Sequence, residues 1–118
     1  MGVKDELGRF GEKVAADFLG SIGYSIIERN WRCRSGEIDI VAREGDALVV
    51  VEVKTRSGRG YGTPAESVTY TKARRLRGLA AQWARGHEGG FARIRIDVIA
   101  IERDPRGGTT LRHLPGVI

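Results

Sequence analysis

Asp39, Glu52 and Lys54 stand inside runs that otherwise read as buried strands: Gly36-Glu37-Ile38-Asp39-Ile40-Val41-Ala42-Arg43 and Leu48-Val49-Val50-Val51-Glu52-Val53-Lys54. Strand residues alternate between faces, so Glu52 and Lys54 share the face that carries Leu48 and Val50. Ionised groups in such a setting are costly to bury unless they are paired or bind a metal. Two carboxylates on neighbouring strands have the donor chemistry for one divalent cation. Mg²⁺ takes such oxygen ligands and fills its other positions with water and substrate phosphate. A bound cation of this kind lowers the pKa of a water and offsets charge on a phosphate. A lysine two residues beyond a ligand, on the same face, is placed to hold or deprotonate that water or to neutralise the phosphate. This is the equipment of phosphodiester hydrolysis. The bland alternative for Asp39 and Lys54 is a cross-strand ion pair, worth under about 1 kcal/mol if exposed.

The elements that must position these groups follow from periodicity. Residues 4–22 predict an amphipathic helix with Leu7, Phe10, Val14, Phe18 and Ile22 on one face. Residues 24–28 predict a first strand, residues 30–36 a basic turn holding Trp31 and Cys33, and residues 37–43 a second strand. Glu44-Gly45-Asp46 reads as a tight turn into a third strand over 47–55. The segment 56–63 is Gly-rich and aperiodic, which predicts a loop, closed by Pro64. A second helix over 71–85 has Thr71 as N-cap and Leu76, Leu79, Ala80 and Trp83 as its apolar stripe. A fourth strand over 93–101 places Ile94, Ile96, Val98 and Ala100 on one face, and 109–114 predicts a short last strand. The order is α-β-β-β-α-β-β. The link of nearly 40 residues between the third and fourth strands suits a crossover joining parallel strands. A mixed sheet flanked by helices, an α/β domain over 1–118, is the expected fold.

The chain carries 20 Lys and Arg against 15 Asp and Glu, a formal net charge of +5. The excess is concentrated: Lys54, Arg56, Arg59, Lys72, Arg74, Arg75 and Arg77 face only one acid, Glu66, between residues 54 and 77. Such a segment fits an anionic partner, nucleic acid above all, and contacts of this kind grip phosphates without reading sequence. Its bland counterpart is a solvated helix face. The one cysteine excludes an internal disulfide and a Cys-x-x-Cys zinc site, which points to a reducing, cytoplasmic setting. Lys4, Asp5, Glu6 and Arg9 at the start argue against a signal peptide, and no run reaches the roughly 18 apolar residues of a membrane span. His87 and His113 are not spaced as metal ligands. Trp31 is expected in packing rather than base stacking, and Gly58-Arg59-Gly60-Tyr61-Gly62 lacks the Gly-Lys-Ser/Thr ending of a nucleotide loop.

Asp39 followed by Glu52-Val53-Lys54 resembles the PD-(D/E)xK pattern of restriction-endonuclease-like nucleases, the superfamily that includes Holliday junction resolvases. Ile38 stands where the pattern's name has proline. More narrowly, Gly11-Glu12, Gly36-Glu37-Ile38-Asp39-Ile40-Val41, Val51-Glu52-Val53-Lys54-Thr55-Arg56, Gly62-Thr63-Pro64 and the helix start at Lys72 to Leu76 resemble the small bacterial YraN-like proteins, over nearly the whole chain. The resemblance implies a restriction-endonuclease-like core and a Mg²⁺- or Mn²⁺-dependent nuclease acting on structured or branched DNA. It implies that Asp39, Glu52 and the carbonyl of Val53 ligate the metal, that Lys54 serves the attacking water, and that Glu12 adds a carboxylate from the first helix. From its place on the flank of the apolar stripe, Glu12 is equally an exposed helix carboxylate. A junction-cutting role would favour a two-fold dimer. The competing readings are a non-catalytic nucleic-acid-binding module and a subunit of a larger DNA-processing complex.

Overall fold

The computed structural model describes residues 6–58 and 68–117. Helix α1 (Glu6–Ser21) is followed by β1 (Ser25–Cys33), β2 (Gly36–Glu44) and β3 (Ala47–Ser57), then α2 (Tyr70–Arg85), β4 (Arg93–Arg103) and β5 (Thr109–Leu114). The sheet runs β1-β2-β3-β4-β5 in space. Every neighbouring pair is antiparallel except β3 and β4, which are parallel, as the long connection between them requires.

Strand β3 lies at the centre of this sheet, and Ala47 to Val51 are buried without a break. Continuous burial means that both faces are covered, which is why the run Leu48-Val49-Val50-Val51 shows no polar alternation. On one face Leu48, Val50, Ile96 and Val98 pack with Leu76, Leu79, Ala80 and Trp83 of α2. On the other, Val49, Val51, Ile99 and Ile101 pack with Ala15 and Leu19 of α1. Trp31 packs partly buried against the α2-side cluster, as expected, and Trp83 is almost fully enclosed.

Several boundaries and faces differ from the expected ones. Strand β1 continues to Cys33, so the basic turn anticipated over 30–36 shrinks to Arg34-Ser35. The extension survives because β1 is an edge strand, where polar side chains stay in water, and because a register shift between Ile26 and Glu28 and a left-handed Asn30 (φ 57°) absorb the mismatch. Strand β3 runs on through Arg56 and Ser57, which pair with Glu102 and Arg103 instead of opening the expected loop. Residues 59–63 of that loop, including Arg59 and Tyr61, lie outside the described residues, as does Pro64. Helix α2 starts at Tyr70, and its N-cap is Thr69 rather than Thr71: the Thr69 hydroxyl accepts from the Lys72 N–H at 3.1 Å.

The largest correction concerns α1. Its buried line is Gly11, Glu12, Ala15 and Leu19, while Phe10, Val14 and Phe18 flank the core and Ile22 is 48% exposed. Small residues set this rotation. A Cβ at Gly11 would stand 1.8 Å from Thr55 Oγ1 and 2.8 Å from Thr55 Cβ, so only glycine permits the close approach of α1 to β3. That approach turns Glu12 inward.

Candidate active site

Asp39 sits where the alternation of β2 slips by one residue. Ile38 and Val41 belong to the cluster beneath α2, whereas Ile40 and Ala42 belong to the one beneath α1. In a regular strand Ile38 and Ile40 would share a face. The β2–β3 ladder ends at the pair Ile40 and Val51. Beyond it, the N–H of Val53 donates to Asp39 Oδ2 at 2.8 Å, so the carboxylate satisfies a backbone donor where the two strands part. Asp39 is 9% exposed.

Glu52 projects from β3 toward the α2 face, one alternation beyond Val50. Its Oε2 accepts from Lys54 Nζ at 3.2 Å and also from Lys72 Nζ, which reaches down from the first turn of α2. Two ammonium groups thus converge on one carboxylate oxygen. Burial would lower the Lys72 ammonium, but its bond to Glu52 and the charges of Glu52 and Asp39 hold it above the ordinary lysine value. Lys72 is three residues past the N-cap and the first turn carries no acid. The partial positive charge of a helix N-terminus favours an acid there and disfavours a lysine. The sequence breaks a local rule at this point, and Glu52 offsets the cost through space.

These groups line one open cleft of about 560 Å³ at the parted end of β2 and β3. Glu12, Asp39, Glu52, Val53 and Lys54 all contribute to its wall, joined by Lys72 and Arg75 from α2. Glu12 is therefore not the exposed helix carboxylate that its sequence position also allowed: it is 2% exposed, with Arg29 Nη2 at 3.8 Å. Glu37, at the rim, pairs with Arg32 at 3.1 Å. Of the other basic residues, Arg74 lies over the ring of Tyr70, Arg77 donates to the Ile94 carbonyl at 3.3 Å, and Arg56 lies on β3; none of the three lines the cleft.

The donor set suits a hard cation. Asp39 and Glu52 offer carboxylate oxygens beside the Val53 backbone, and the cleft has room for water. Among the described residues no group of three or more His, Cys, Asp or Glu side chains is gathered to enclose a metal ion. A cation held by Asp39 and Glu52 would draw on carbonyl and water for its remaining positions, the habit of Mg²⁺.

A second polar cluster escaped the sequence reading. Asp97 of β4 is fully buried. Its carboxylate accepts from Arg95, Tyr24, His113 and the N–H of Gly116. Burial would raise the Asp97 carboxyl, yet these donors, Arg95 foremost, hold it below the usual aspartate value. Tyr24 is pushed up to about 12 by burial and by Asp97. An aspartate inside the otherwise apolar run Ile96 to Ile101 was the available signal, of the same kind as Glu52 in β3.

Fold and site together define an α/β protein of the restriction-endonuclease-like arrangement: a mixed five-stranded sheet between two helices, with carboxylates and lysines gathered where the central strand leaves its neighbour. The chain belongs to the uncharacterised protein family UPF0102, whose family model matches residues 11–101. This is the YraN-like family to which the motifs pointed. A UPF0102 protein of Beutenbergia cavernae is 49% identical over 117 residues, covering 99% of both chains. One of Parafrankia sp. is 51% identical over 116 residues, with 98% of each chain covered. One of Acidothermus cellulolyticus is 50% identical over 123 residues, spanning 96% of this chain and 93% of its own. No helix among the described residues is long and apolar enough to cross a membrane.

Proposed function

We propose that this protein is a Mg²⁺- or Mn²⁺-dependent nuclease that hydrolyses phosphodiester bonds in DNA, with structured or branched DNA as its substrate. The observation that carries this reading is the meeting of Asp39, Glu52 and Lys54 in one open cleft. Asp39, Glu52 and the Val53 carbonyl would hold the cation, with Glu12 behind them. When bound, the cation supplies an acidified water and a counter-charge for the phosphate. Lys54, beside Glu52, orients the attacking water and donates to a non-bridging phosphate oxygen as negative charge builds there. Lys72 and Arg75 line the same cleft and give its wall the positive charge that suits a phosphate backbone. The hydrogen bond from Val53 N–H fixes the Asp39 carboxylate in advance, so its orientation costs nothing during the reaction.

The test is to incubate the purified protein with branched, flapped and single-stranded DNA, with and without Mg²⁺ or Mn²⁺. Metal-dependent cutting that disappears in Asp39→Asn and Glu52→Gln is expected. Failure to cut any substrate, or undiminished cutting by Asp39→Asn, refutes the reading. One observation favours a second reading, a DNA-binding module without chemistry: Glu52 is already neutralised by two lysines. That module would bind DNA in a salt-dependent way that survives Glu52→Ala, and would show no affinity for Mn²⁺.

A further inference from the structure

Lys72 is the cleft residue whose placement the proposed chemistry leaves unexplained. A phosphate-gripping lysine works best extended into solvent, ready for its ligand. Lys72 instead lies against Glu52 Oε2, its side chain 30% exposed and that of Glu52 13%. Lys54 already supplies this oxygen with one ammonium at 3.2 Å. A second is not needed to pair a single carboxylate, and it is held there against the helix dipole. The two charges on Glu52, with Asp39 beside it, make up the balance that a divalent cation would otherwise provide.

We infer that Lys72 is a built-in counter-cation: in the metal-free protein it occupies the place at Glu52 that a divalent cation takes on loading, and so sets a threshold for metal binding. This rests on the nuclease reading of the same cleft. The reason is electrostatic. A cation approaching Glu52 meets two ammonium groups in a partly dry cleft and must displace the one that can leave. Lys54 is anchored on β3 two residues from Glu52, whereas Lys72 reaches in from α2 and can swing outward. Once displaced, it stands free at the cleft wall beside Arg75, where a phosphate would lie. The protein is thereby kept from holding metal tightly until the concentration of the ion, or the arrival of an anionic strand that draws Lys72 away, overcomes the pairing.

The experiment measures Mn²⁺ affinity of the full chain, by calorimetry or by the spin-resonance signal of the free ion, with no DNA present. Lys72→Met removes the charge, and Lys72→Gln removes it while keeping a donor for Glu52. Both should bind Mn²⁺ about tenfold tighter than wild type or better, the discounted effect of removing one positive charge from a ligand oxygen. Arg74→Met deletes a charge from the same turn without touching the cleft and should change affinity far less. Thermal melts of all three variants establish that they are folded. If the Lys72 variants bind Mn²⁺ no more tightly than Arg74→Met, the counter-cation role is wrong while the nuclease reading stands. If neither wild type nor any variant binds Mn²⁺, both fall together.

Discussion

Replacing Asp97 by Asn is the sharpest test of how this fold is held together. The carboxylate receives five hydrogen bonds. Oδ1 accepts from Arg95 Nε at 2.9 Å and from Gly116 N at 3.0 Å. Oδ2 accepts from Tyr24 Oη at 2.9 Å, His113 Nε2 at 2.8 Å and Arg95 Nη2 at 3.1 Å. An amide presents one acceptor and one donor group, so in either orientation its NH₂ faces donors that lose their partner. It also strips the countercharge from Arg95. Breaking a buried pair in this way costs about 3–5 kcal/mol. Arg95 keeps Glu44 at 2.9 Å and remains 21% exposed, which argues for the lower end, about 3 kcal/mol. For a domain of this size that lowers Tm by roughly 10–15 °C. The assay is thermal and urea unfolding of Asp97→Asn and wild type at a series of pH values. The Asp97 carboxyl is held below its unfolded value of 3.8, so the unfolded chain takes up the proton first. Its contribution is fully present above pH 4 and fades as pH falls through the folded value. The gap between the two proteins should therefore narrow as the pH falls below about 4. A deficit under about 1 kcal/mol at pH 7, or one that does not change in acid, would show that the network contributes little beyond what hydration gives.

Three further outcomes are expected. Alkaline unfolding should register Tyr24: its phenol is pushed up to about 12 from 10.0, so it supports the fold fully below pH 10 and loses that support as pH rises through 12. An ultraviolet titration should show a late phenol that is lost in Tyr24→Phe; if the phenol lost in Tyr24→Phe is one that ionises near pH 10, the assignment is refuted. Gly11→Ala places a methyl 1.8 Å from Thr55 Oγ1, a clash of about 1–3 kcal/mol that outweighs the roughly 1 kcal/mol gained in helix propensity. Urea midpoints should fall in Gly11→Ala and recover in part in Gly11→Ala/Thr55→Ala; a rise in the single variant contradicts the close approach. At the site, Asp39→Ala strands the Val53 N–H and should cost about 1–3 kcal/mol, whereas Asp39→Asn keeps an acceptor and melts near wild type. Equal melting of the two would mean that the hydrogen bond is dispensable.

The order of elements, the mixed sheet and the positions of Asp39, Glu52 and Lys54 were legible in the chain, because strand alternation and apolar runs are local signals. Leu48 to Val51 announced a strand buried on both faces, and charges at its end announced a site. Helix α1 was misread because the hydrophobic stripe marks where large side chains lie, not which line approaches the sheet; that depends on Gly11 meeting Thr55, residues 44 positions apart. The same contact buries Glu12, which the chain left open between a surface carboxylate and a member of the site. The slip of β2 at Asp39, the pairing of Lys72 with Glu52 and the cluster around Asp97 each join residues from separate elements. Local composition specifies which elements form and which faces are apolar. Which charges meet is decided only when those elements pack, since side-chain pairing is set by distance in space and not along the chain.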